Sequence, residues 1–224
     1  MHDVKRLDVM ENIMDENDHI AEHINEHMTA HGVLVVNEMG APGVGKTTTL
    51  KNIIKRLSGI KAYVIEGDIE SDLDTQDLNS MGIDTYQINT YGACHLDAPM
   101  IDHQIEHMTF DERGILFIEN IGNLVCPAEF TIGEHLMMLI STVTEGSDKP
   151  YKYPLAFEKA DIIVLNKIDL IPYLDFDEEF FMKGVRALNK DVPVFKVSGR
   201  TGEGFDEVVA WLKARSEALP FSRS

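Results

Sequence analysis

Cysteine is scarce in this chain: two thiols, Cys94 and Cys126, in 224 residues. Two are too few for a disulfide framework. The first residues, MHDVKRLDVMENIMDEND, are charged and lack the apolar stretch of a secretory signal. Basic side chains are also in short supply, 20 Lys and Arg against 38 Asp and Glu, for a net charge of -18. So acidic a surface repels phosphate backbones and anionic lipids, which argues against nucleic acid and membranes as partners. No apolar run approaches the roughly 18 residues of a transmembrane helix. The expected setting is the cytoplasm, with both thiols reduced.

What is present is a chain of 44% hydrophobic residues, enough for one compact core. Residues 10–31 read as a helix, with Ile13, Ile20, Ile24 and Met28 close to one face. The β-rich run Val33–Val36 leads into a glycine-rich turn and then a helical stretch from about Lys46 to Leu57. Short apolar runs follow at Ala62–Ile65, Ile115–Ile118, Leu136–Val143, Ile162–Leu165 and Val192–Val197, and Phe205–Arg215 closes the chain as an amphipathic helix. Strands alternating with helices predict a three-layer α/β fold, a mainly parallel sheet flanked by helices, with active loops at the carboxyl ends of the strands.

The turn after the first strand reads Gly40-Ala41-Pro42-Gly43-Val44-Gly45-Lys46-Thr47 and fits GxxxxGK[ST] at every fixed position. Strand before and helix after are the context this phosphate-binding loop requires. Gly43 and Gly45 let backbone N–H groups approach phosphate oxygens, and the helix N-terminus adds partial positive charge. Lys46 is expected to reach the β- and γ-phosphates and Thr47 to ligate Mg²⁺, with Thr48 completing the set.

Asn166-Lys167-Ile168-Asp169 follows the strand Ile162–Leu165. A carboxylate at Asp169 can accept from both N1–H and the exocyclic amine of guanine, a donor pair adenine lacks. The later loop Ser198-Gly199-Arg200 is placed to offer a backbone N–H to the guanine O6. Together with the phosphate loop these predict a P-loop GTPase. Its domain is expected to span residues 1–224, with residues 1–31 a helical extension packed on it. Two acidic residues end strands, Asp68 in VIEGD and Glu119 in ILFIENIG, and can hold Mg²⁺ or orient the attacking water. Both also suit helix caps or turns. Glu119 and Gly122 stand where many GTPases carry DxxG.

Cys94, His95 and Cys126 flank these segments. Two thiolates and an imidazole make a partial Zn²⁺ or Ni²⁺ site, to be completed by water or a second subunit; simple burial of free thiols is the alternative. His19, His23, His27 and His31 recur every four residues on the first helix and read first as a solvated helix edge, although any such pair can chelate a transition metal. His103 and His107 repeat the spacing.

VIEGD at 64–68, QINT at 87–90, CHLDA at 94–98, FIENIGNLVCPAEF at 117–130 and EGSDKPYKYP at 145–154 give the chain a specific resemblance. From roughly Glu16 to Leu212 it is similar to the hydrogenase nickel-incorporation GTPases, the HypB family. The resemblance implies the fold of dimerising P-loop GTPases related to signal-recognition and MinD proteins, homodimerisation on GTP binding, hydrogenase-maturation partners and delivery of nickel. It implies that Cys94, His95 and Cys126 bind metal near the dimer interface, and that Lys149 and Lys152 belong to a loop that reaches nucleotide in the dimer. Lys46, Asp68 and Glu119 are the expected catalytic residues. Turnover is expected to be slow, since no arginine finger or catalytic glutamine is recognisable. Rival readings are a urease-type nickel chaperone, disfavoured because Cys94 and His95 are adjacent where that family carries Cys-Pro-His, and a metal store or sensor with vestigial nucleotide chemistry, disfavoured by intact Lys46, Thr47 and Asp169.

Overall fold

In the computed structural model the described residues are 4–67, 83, 85–90 and 92–220, with side chains described from Met14 onward. Seven strands form one sheet: β1 (Val33–Gly40), β2 (Lys61–Glu66), β3 (Thr85–Gln87), β4 (Gly114–Glu119), β5 (Leu136–Thr142), β6 (Ile162–Asn166) and β7 (Val194–Lys196). The order is β3-β2-β4-β1-β5-β6-β7, and every pairing is parallel. The predicted mainly parallel sheet is therefore wholly parallel among the described strands. All residues of β1, β4, β5 and β6 are buried, the consequence of helices on both faces.

Helix α1 (Val4–Ala30) starts earlier than the predicted stretch, and α2 (Lys46–Arg56) follows β1. Next come α3 (Ala98–Ile105), the single turn α4 (Cys126–Glu129), α5 (Lys149–Lys152) and α6 (Pro154–Lys159). The last two are α7 (Glu178–Leu188) and α8 (Phe205–Ala218). On one sheet face Leu50 and Ile53 of α2 and Val208 and Leu212 of α8 pack against Leu34, Val36 and Phe117. On the other, Ala21, Ile24 and Met28 of α1 meet Val33, Val35 and Leu116, with Ile101 of α3 alongside. Ile20 is only partly buried, and Ile13 lies outside the described side chains.

Polar locks hold α1 in place. Asn17, 4% exposed, donates to the Thr131 carbonyl at 2.9 Å and accepts from the Ala98 N–H at 2.9 Å. His135 Nδ1 accepts from the Val35 N–H at 2.9 Å, which leaves the proton on Nε2, 2.8 Å from Thr29 Oγ1. Burial pushes the His135 imidazole down to about 4, so it stays neutral. Among the described residues no helix is long and apolar enough to cross a membrane.

Candidate functional site

The central strand β1 ends at Gly40, and the chain turns through residues 41–45 into α2. Gly45 caps α2 with φ 95°, and a Cβ there would lie 2.8 Å from Asn166 Nδ2. The left-handed backbone and the missing side chain let the chain pass close against Asn166 as it enters α2. Lys46 is 5% exposed. Thr47 Oγ1 donates to Glu119 Oε1 at 2.9 Å, joining the start of α2 to the end of β4. A hydroxyl and a carboxylate oxygen side by side are hard donors of the kind Mg²⁺ takes, with phosphate and water filling its remaining positions. Asp68 lies outside the described residues, one position past Gly67.

Sheet register adds two carboxyls that the sequence reading missed. Glu38 of β1 stands opposite Glu119 of β4, and Glu119 stands opposite Glu66 of β2. Parallel partners share a face, so the three point to the α2 side. Glu38 is fully buried, and neither of its carboxyl oxygens has a hydrogen-bond partner among the described residues. Burial raises its pKa well above the ordinary carboxylate range; the charge of Glu119 acts in the same direction and that of Lys46 against it. The available signal was a charged residue inside an otherwise apolar strand.

Beside the phosphate loop lies a cleft of about 300 Å³ lined by Gly45, Thr48, Asn166, Lys167, Asp169, Leu170, Gly199 and Arg200. Asn166 organises it: Nδ2 donates to the Val44 carbonyl at 2.9 Å, and Oδ1 accepts from the N–H groups of Lys167 at 2.7 Å and Gly199 at 3.0 Å. Lys167 adopts φ 62° and its Nζ reaches the Gly43 carbonyl at 2.6 Å. Ser198 Oγ donates to Asp169 Oδ1 at 2.7 Å and accepts from the Thr201 N–H at 3.2 Å. The two sequence segments predicted to read a base thus meet in one pocket, against residues 43–48. The pocket offers a carboxylate and backbone donors to a flat ring.

Cys94, His95 and Cys126 come together: one ligand atom from each lies within 4.8 Å of the others. Cys94 Sγ is 3.4 Å from His95 Nδ1. The His95 ring stacks on Phe130, centroids 4.3 Å apart, which fixes its plane. Hydrogen bonding to Cys126, then burial, raise the Cys94 thiol above its ordinary pKa. Thiolate and imidazole are borderline-soft donors that suit Ni²⁺ and Zn²⁺ and discriminate against Mg²⁺.

Residues 119–126 run from one cluster to the other. Asn120 is wholly buried; it donates to Asn37 Oδ1 at 3.2 Å and accepts from the Leu96 N–H at 3.1 Å, next to His95. Gly122 lies against Pro42 so closely that a Cβ would be 3.0 Å from the proline ring. Asn123 forms a backbone bridge with Gly40, while its Nδ2 donates to the Cys94 carbonyl at 3.2 Å. Neither asparagine stood out as functional in the sequence. Lys149 and Lys152, by contrast, are paired within their own segment, to Glu145 at 2.7 Å and Asp148 at 2.6 Å.

An all-parallel sheet with a glycine loop after its central strand and a cleft beside that loop define a P-loop GTPase, with a thiol-imidazole cluster beyond the loop. Residues 33–196 match the nucleotide-binding domain of the CobW/HypB/UreG family. The chain belongs to the HypB family of hydrogenase maturation GTPases. It is 42% identical to hydrogenase maturation factor HypB of Azotobacter vinelandii over 96% of this chain and 74% of that protein. It is 41% identical to HypB of Escherichia coli K12 over 94% and 73%. The crystal structure of HypB from Archaeoglobus fulgidus superposes with TM-score 0.85 at 35% identity, covering 90% of this chain and 99% of that one. The structure of HypB from Helicobacter pylori in complex with nickel gives TM-score 0.84 at 31% identity, covering 93% and 99%.

Proposed function

We propose that the chain is a cytoplasmic metallochaperone that hydrolyses GTP to GDP and phosphate and delivers nickel during [NiFe]-hydrogenase maturation, acting with partner maturation proteins. Residues 1–224 act as one GTPase unit, with α1 its packed extension. Backbone N–H groups of residues 40–48 cradle the phosphates, Lys46 neutralises β- and γ-oxygens, and Asn166, Lys167, Asp169 and Ser198–Arg200 read guanine. Thr47, Glu119 and Asp68 would hold Mg²⁺, which when bound offsets the charge developing on the transferred phosphoryl group. Asp68 and Glu119 orient the attacking water. Cys94, His95 and Cys126 take the cargo, Ni²⁺, and accept Zn²⁺ by the same chemistry.

The observation that carries this reading is the path from Gly40 through Asn123 to Cys94, because a phosphate loop that moves on nucleotide exchange pulls on the backbone of a metal ligand. GTP closes two such subunits into a homodimer, and hydrolysis retunes the metal site. Coupling of this kind is reciprocal: GTP must shift nickel affinity by the factor by which nickel shifts GTP affinity. Titration of Ni²⁺ into protein loaded with GDP, and then with a non-hydrolysable GTP analogue, tests it with Cys94→Ala as control. A nucleotide-dependent affinity that the control abolishes supports the reading; equal affinity in both states refutes the coupling.

A further inference from the structure

Two asparagines on α1, about two turns apart, tie the helix to other segments, and their partners differ. Asn25 Nδ2 donates to the carbonyls of Gly133 and Glu134 at 3.3 and 3.1 Å. Both partners lie in the turn that leads into β5. Asn17 instead spans two segments. Its Oδ1 accepts from the Ala98 N–H at 2.9 Å, and its Nδ2 donates to the Thr131 carbonyl at 2.9 Å. The neighbouring Asp18 Oδ1 accepts from Thr131 Oγ1 at 3.2 Å and lies 3.4 Å from Asn17 Nδ2. Ala98 opens α3 just after His95, and Thr131 directly follows Phe130. One buried side chain therefore grips both of the segments that meet in the His95–Phe130 stack.

A side-chain amide carries donor and acceptor on one planar group, and burial penalises either one left unpaired. It therefore holds its two partners at a fixed separation. The Ala98 N–H is one of the helix-start donors that have no partner within their own helix, and Asp97 meets another by accepting from the Met100 N–H at 2.9 Å. The Leu96 N–H goes to Asn120 Oδ1 at 3.1 Å. Backbone bonds thus fix the chain on both sides of Asp97, and Leu96 is wholly buried. We propose that Asn17 is a positioning residue for the metal cluster. By holding Ala98 and Thr131 together it keeps the His95 ring against Phe130, with Nδ1 beside Cys94 Sγ. The inference rests on the reading of Cys94, His95 and Cys126 as the nickel ligands. Partners that orient a ligating imidazole set metal affinity nearly as strongly as the ligands do.

The test is a Ni²⁺ titration of the full chain followed by the thiolate-to-nickel absorption band, which reports the cysteine site alone. Asn17→Ala should weaken Ni²⁺ about tenfold and move the band toward that of His95→Ala. Asn25→Ala, which also removes two bonds from α1 to backbone carbonyls, should lower the melting temperature but leave Ni²⁺ affinity and band in place. Asn17→Asp keeps the acceptor for the Ala98 N–H and loses the donor to Thr131, so it should fall between Asn17→Ala and the unaltered chain. If Asn17→Ala does not yield folded protein, Asn17→Asp against the unaltered chain decides the matter. Unaltered affinity and band in the Asn17 variants overturn the proposal. Equal losses in Asn17→Ala and Asn25→Ala overturn it too, since they would mark a general loosening of α1. Unaltered affinity and band in Cys94→Ala would overturn the nickel-ligand reading, and this inference with it.

Discussion

Thr47 Oγ1 and Glu119 Oε1 lie 2.9 Å apart, one at the start of α2 and the other at the end of β4. The pair sets two oxygen donors side by side next to the phosphate loop. Thr47→Ala and Glu119→Gln should each weaken Mg²⁺ in the GTP complex about tenfold or more, by loss of a donor from a small cation that takes few protein ligands. Hydrolysis rates measured against Mg²⁺ concentration read this directly. A Glu119→Gln protein with the unaltered Mg²⁺ dependence would remove that residue from the site.

Asp169 is positioned by Ser198, and the guanine contact proposed for it is a matter of donors and acceptors. Asp169→Asn exchanges an acceptor for a donor and should weaken GTP by about 100-fold, roughly 3 kcal/mol for charged hydrogen bonds lost. It should improve binding of xanthosine triphosphate, whose ring carries an oxygen where guanine has its amine. Dissociation constants for both nucleotides check this; unchanged preference would place the base elsewhere.

Asn123 links Gly40 to the Cys94 carbonyl. Asn123→Ala keeps the backbone bridge and removes both side-chain bonds, the one to the Cys94 carbonyl and the one from the Val125 N–H. If the unaltered protein shows a nucleotide effect on Ni²⁺ affinity of about fivefold or more, this variant should bring the ratio toward one while GTP hydrolysis continues. A variant with full coupling would show that the signal travels by another path.

His135 sets an acid limit. Its neutral ring accepts the Val35 N–H and cannot do so once protonated. The folded-state pKa, about 4, is lower than the ordinary 6.5, so the unfolded chain binds the proton more tightly. Stability should therefore fall as pH drops from 6.5 toward 4 and level off below. Melting temperatures across that window, compared with those of His135→Gln, isolate this group. Identical slopes in the two proteins would show that the imidazole contributes nothing.

Glu38 works in the opposite sense. Its pKa is raised on folding, so the folded state holds the proton more tightly than the unfolded chain does. The stability this brings is present below the ordinary carboxylate range and is lost as pH rises through the folded-state value. Glu38→Gln should melt higher than the unaltered protein at pH 8, and the gain should shrink toward pH 4. A lower melting temperature for the variant at pH 8 would mean that the buried carboxylate, with Lys46 nearby, is stabilising.

By itself the sequence determined the nucleotide chemistry and the layer architecture. GxxxxGKT and NKxD act through neighbouring backbone and side chains, and period-driven apolar runs mark strands and helices locally. Short β3 and α3 were harder to read, since three strand residues and two helical turns carry too little periodicity. The tertiary structure alone decided which distant residues meet. The thiols of Cys94 and Cys126 converge because the chain segments after β3 and β4 emerge at the same end of the sheet. Glu38, Glu119 and Glu66 align because register between β1, β4 and β2 is set by burial of both faces. The Asn123 bond to the Cys94 carbonyl likewise exists only once helices and loops are packed. Such contacts depend on the global minimum of buried surface and satisfied polar groups, to which no short window of sequence corresponds.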